Sequence, residues 1–191
     1  MKRLLVYFFA FVVCSCGPNK KLKTANAYFD INGLIDRQVK MLDSISPVLF
    51  KKAMIDGKTE ISQFTPNDAI WSREFMVFRS ADINKPTLIN RYSIIENKSN
   101  DGRKTVFYIS KERSKTLVDS LSIVFSPGNQ KPSKIHAILS HDNALFSNEK
   151  TLDIYFTPDG NLISSYKIHG WQKMISKDSS AYNIEATIKK P

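Results

Sequence analysis

Thr151-Leu152-Asp153-Ile154-Tyr155-Phe156 alternates strictly. Leu152, Ile154 and Phe156 point one way, with Thr151, Asp153 and Tyr155 opposite. A period of two with one apolar side is the pattern of a strand in an antiparallel sheet that buries one face. Working outward from it, the chain from Thr87 onward reads as strand after strand: Leu88–Glu96, Lys104–Ser110, Leu117–Phe125, Lys134–Ser140, Thr151–Phe156, Asn161–Ile168 and Ala181–Ile188. Asn100-Asp101-Gly102, Pro127-Gly128-Asn129 and Pro158-Asp159-Gly160 supply turn residues between them. Connections this short favour a meander of neighbouring antiparallel strands, because parallel pairing needs a long crossover.

Upstream, two strands, Val48–Ile55 and Lys58–Phe64, flank Asp56-Gly57. That dipeptide suits a type I′ hairpin turn, in which both central residues take positive φ. Two helices are expected. In the first, Tyr28 to Ile45, residues Ile31, Leu34, Ile35, Val39, Leu42 and Ile45 recur at spacings of three and four, with Asp30 as N-cap, Pro47 as the stop and an Asp36–Lys40 pair outside. Thr65-Pro66-Asn67-Asp68 starts the second with Thr65 as N-cap. Ile70, Trp71, Phe75, Val77 and Phe78 form its apolar face, and it ends near Ser80. The expected fold class is α+β: a curved antiparallel sheet of seven to nine strands whose concave face is covered by one or two helices. Residues 28–191 form one domain, with no repeat or linker dividing them.

The N-terminus reads differently. Met1-Lys2-Arg3 is basic, and Leu4 to Val13 is an unbroken apolar run. Ten residues rise about 15 Å as a helix, too short for a bilayer core and suited to a signal-peptide core. Val13-Cys14-Ser15-Cys16 ends the run and resembles a lipobox, although Val13 stands where Leu is commoner. The resemblance implies cleavage before Cys16 and diacylation of its thiol. Residues 1–15 are then the signal peptide and residues 16–27 a lipidated tether. Both cysteines of the chain lie here, so the mature domain is expected to hold no disulfide.

The formal net charge of the chain is +10. Loss of Lys2 and Arg3 leaves +8, and Lys20, Lys21 and Lys23 fall in the tether. The other charges are scattered, and a secreted anchored protein rarely meets nucleic acid, so no nucleic-acid partner is expected. His136, His141 and His169 are the only histidines. His136 and His141 are an odd number of residues apart and face opposite ways on one strand. No third ligand is marked, so no metal and no cofactor are expected. Neither a G-x-S-x-G elbow nor a Gly-rich phosphate loop occurs. No catalytic residue is assigned, and an enzyme is not expected. A Ser/His/Asp triad would require His136 or His169 to meet a nucleophile and an acid in a cleft.

Asp82-Ile83-Asn84-Lys85-Pro86 is the most distinctive internal segment. It reads as a helix-to-strand corner, with Asp82, Asn84 and Lys85 as a candidate binding loop. Together with Trp71, Glu74, Phe78 and Tyr92, after the lipobox and the Phe29–Leu42 helix, this corner resembles uncharacterised lipoproteins of Bacteroidetes-type bacteria. The resemblance covers most of the first hundred mature residues and implies no activity. Lipoprotein sorting by analogy, with Gly17 after Cys16 and a Lys-rich tether, implies the periplasmic face of the outer membrane. The expectation is a lipid-anchored cell-envelope protein, attached to the membrane through Cys16 and binding an envelope partner protein. The alternative is a carrier of an apolar ligand such as lipid between sheet and helices, similar to half-barrel lipoproteins of the outer membrane.

Overall fold

A computed structural model describes residues 27–128 and 130–190. Cys16 and the rest of the signal and tether lie outside the described residues. Among the described residues nine strands form one open sheet. They are β1 (Val48–Ile55), β2 (Lys58–Phe64), β3 (Tyr92–Lys98), β4 (Lys104–Ser110), β5 (Val118–Phe125), β6 (Pro132–Asp142), β7 (Phe146–Phe156), β8 (Ile163–Met174) and β9 (Ser180–Lys189). All neighbours are antiparallel, in the order β2-β1-β9-β8-β7-β6-β5-β4-β3. From β3 to β9 the chain meanders, and the N-terminal hairpin closes the far side by pairing β1 with β9. Among the described residues three α-helices accompany the sheet: α1 (Ile31–Ile45), α2 (Asp68–Glu74) and α3 (Met76–Arg79).

The hairpin turn follows from its residues. Asp56 and Gly57 have φ of 48° and 80°, the double positive φ of a type I′ turn. Asp30 caps α1 by accepting from the Gly33 N–H at 2.8 Å. A Cβ on Gly33 would stand 2.1 Å from the Asp30 carboxylate, so the cap requires glycine there.

Ile31, Leu34, Ile35, Val39 and Leu42 bury the α1 stripe. They belong to one buried cluster with the apolar rows of the sheet, among them Leu49 of β1, Leu121 and Ile123 of β5 and Tyr166 of β8. Trp71 of α2 stacks on Phe75, the residue between α2 and α3, at 5.6 Å, and Phe75 and Phe78 meet Tyr166 edge-on at 5.9 and 5.4 Å. One continuous core results, and burial of each such side chain contributes about 1.5–3 kcal/mol.

Several local expectations are corrected. The N-cap of α2 is Asn67, whose side chain accepts from the Ile70 N–H at 3.0 Å. Pro66 therefore precedes the cap instead of opening the helix. The expected single second helix is two, divided at Phe75. Asp36 pairs with Arg79 of α3 at 2.6 Å, in place of Lys40. The strand expected from Leu88 begins only at Tyr92: Pro86–Leu88 form a 3-10 turn, and Asn90 has φ of 63°, incompatible with a strand. Strands β7 and β8 run longer than their apolar patterns, because Phe146–Lys150 continues the ladder with Gly170–Met174. In β5 the alternation breaks at Asp119, a bulge between Val118 and Ser120.

Candidate functional site

The corner following α3 binds the chain's own N-terminal segment. Asn84 accepts from the Tyr28 N–H at 3.0 Å and donates to the carbonyls of Tyr28 and Phe29 at 3.2 and 2.9 Å. Asp82 is buried and accepts from the Asn32 side chain at 2.8 Å. Burial raises its pKa, against the opposing pull of the Asn84 amide groups. Lys85 is exposed, with the extended backbone that Pro86 imposes. The structure thus brings Asp82 and Asn84 together as a staple for the start of the domain, and leaves Lys85 facing solvent.

The histidines do not converge. His141 contacts Asn143 at 3.0 Å on the helix-facing side of β6. His136 lies on the opposite side, with Nδ1 2.9 Å from Asp153 Oδ1. Lys134 also reaches Asp153 at 3.0 Å and lies over the Tyr155 ring. Burial pushes the Asp153 pKa up, but the bonds from His136 and Lys134 outweigh it and hold it below the usual carboxylate value. Register places Ser122 on the other flank of His136. No hydrogen bond joins Ser122 to His136 among the described residues, and Asp153 is shared between His136 and Lys134. No cluster of three metal-ligating side chains occurs among the described residues.

Two recesses are noteworthy. One, of about 350 Å³, lies at the β5 bulge and is lined by Arg113, Thr116, Ser140, His141 and Asp142. Asp119 backs it, accepting from Ser140 at 2.8 Å. Burial pushes the neighbouring Tyr92 hydroxyl up to about 12, and that hydroxyl donates to the Val118 carbonyl at 2.9 Å. The other, of about 490 Å³, lies beside the α1 N-terminus and is lined by Phe29, Phe125, Lys104 and Gln130.

The edge strands are the least enclosed parts. On β3 every residue from Ser93 to Lys98 is exposed. Ile94 is 52% and Ile95 45% exposed, on opposite faces. No other strand among the described residues pairs with its outer side. Sequence reasoning located this strand but not its edge position, because strand order is not written in a local pattern. Asp119 carries no motif of its own, and the break in alternation between Val118 and Leu121 is the one local trace of the bulge.

No helix among the described residues is long and apolar enough to cross a membrane. Compared with known protein families, with curated proteins and with solved structures, the chain finds no match.

Proposed function

We propose that the chain is a lipid-anchored cell-envelope protein, held at Cys16 on the periplasmic face of the outer membrane, that binds a partner protein without enzymatic chemistry. The observation that carries the binding half is β3. A free edge presents a row of unpaired N–H and C=O groups, and natural proteins cover or blunt such edges. Here six successive residues are open, with two exposed isoleucines. Strand addition by an extended segment of the partner would complete the ladder and cover Ile94 and Ile95. On this reading the sheet curves around its helices, as right-handed twist accumulates over nine strands.

Crosslinking in intact envelopes, with lipids extracted from the same sample, tests this. The expected result is a protein adduct mapping to residues 93–98, lost in Ile95→Lys. The recess between Phe29 and Phe125 favours the second reading, an apolar-ligand carrier. Co-purifying lipid with no protein adduct would decide for that reading.

A further inference from the structure

We propose that the outer face of β8, β9, β1 and β2 is a docking surface for an anionic lipid bilayer. Register defines this face. Lys51 reaches Glu74 of α2, so Lys52 points away from the helices. Lys52 is paired with Glu185 and Ile61, and Glu185 with Lys167, so all four share the outer side. By the same registers Met54, His169, Trp171, Lys173 and Lys189 lie there too.

Cations dominate this half of the face. On these four strands Lys52, Lys167, Lys173 and Lys189 stand against one carboxylate, Glu185, which pairs with Lys167 at 3.0 Å, while on the adjoining β7 Glu149 is paired with Trp171 and Asp153 with Lys167. Lys52 and Lys173 make no salt bridge among the described residues, and Lys189 lies 4.8 Å over the Phe50 ring. Apolar groups are interspersed: Ile61 is 76%, Met54 39% and Trp171 38% exposed. Long cationic side chains around an exposed tryptophan match the two layers of a membrane surface. The ammonium groups meet the headgroup charge, and the indole sits at the boundary with the acyl chains. On the adjoining β7 and β6 the same side is charge-balanced, where Asp153 meets Lys134 and His136, so the excess is local to β8, β9 and β1. The opposite end of the sheet, β3, stays free for a protein partner.

This inference rests on the lipid-anchor reading only for which membrane is at hand, so the test omits the lipid. The chain 17–191, which contains the whole described core, is mixed with vesicles of phosphatidylcholine containing about one third phosphatidylglycerol, and with pure phosphatidylcholine, at about 0.05 M and about 0.5 M salt. Sedimentation with the anionic vesicles at low salt only is expected. Trp71 is fully buried and gives constant fluorescence, so a blue shift on binding reports Trp171. Lys52→Glu with Lys189→Glu should weaken binding by about tenfold or more. Lys52→Gln with Lys189→Gln should give a smaller loss in the same direction, should the reversed pair fail to fold. Lys40→Glu with Arg113→Glu removes equal charge elsewhere and should leave binding unchanged. The proposal is overturned by absence of anionic-vesicle binding, by an unshifted Trp171 emission on binding, or by equal losses in the two charge-reversed pairs.

Discussion

Gln38 of α1 and Ile163 of β8 are joined across 125 positions of sequence. The Gln38 side-chain oxygen accepts from the Ile163 N–H at 2.8 Å, while its amide donates to the Asn161 carbonyl at 2.8 Å. The side chain is buried within an otherwise apolar helix stripe. Gln38→Leu removes both partners and strands a buried N–H and carbonyl. Each unsatisfied group costs about 1–3 kcal/mol. Chemical denaturation should show a loss of about 2–4 kcal/mol, and an unchanged midpoint would refute the role.

Tyr166 is fully buried and donates to Glu74 at 2.5 Å, where Lys51 also binds. Burial, followed by the neighbouring carboxylate, raises its pKa. Tyr166→Phe retains the ring packing against Phe75 and Phe78 but deprives Glu74 of a donor. A hydrogen bond to a charged group contributes about 1.5–3 kcal/mol, and thermal melts of the variant should show a loss of that size.

Asp153 makes stability depend on acid. Its folded pKa is depressed by His136 and Lys134 in spite of burial. It therefore contributes stability above the unfolded carboxylate value of about 3.9, lost as the pH falls through the lower folded pKa. Asp153→Asn should flatten the acid limb below about pH 4. Urea titrations from neutral pH downward would measure it; an unaltered limb would count against the assignment.

Asn84 holds the start of the domain through three hydrogen bonds to Tyr28 and Phe29. At about 0.5–1.5 kcal/mol each, Asn84→Ala should cost about 2–4 kcal/mol. It should also speed limited proteolysis near Ala27. Lys85→Ala, a change on an exposed side chain, should do neither.

Cys16→Ser should release the protein from membranes, and mass spectrometry of the mature protein should find no Cys14 peptide. Continued membrane fractionation of the variant at about 0.5 M salt, where binding by the sheet face is screened, would overturn the anchor. In vesicle assays the unlipidated chain keeps the tether lysines, and the Lys52 and Lys189 substitutions isolate the sheet face, so the two ideas fail separately.

Much of the fold was legible because its elements rest on local rules. Lys104–Ser110 is a strand at the bounds read from its residues, and Asp56-Gly57 makes the hairpin turn its φ preferences allow. What escaped were competitions between local signals. Thr65 and Asn67 both suit an N-cap, and backbone geometry after Pro66 favoured Asn67. Leu88 looked strand-like, yet Pro86 and Asn90 hold its surroundings in turn conformations. The polar ends of β7 and β8 carry no apolar period to read, since their ladder needs only backbone. Of the candidate loop, Asp82 and Asn84 were visible as turn formers, but not that Tyr28 would consume the Asn84 amide.

By itself the sequence determined that this chain is an antiparallel sheet with amphipathic helices, because apolar period and turn chemistry are properties of neighbouring residues. Only the tertiary structure decided which strands became edges, that β1 closes on β9, and that Lys52, Lys173 and Lys189 share a face with Trp171. Those relations depend on pairing between segments far apart in the chain. The loop-closure entropy of such pairing is offset by the shared core, and no local window of residues contains it.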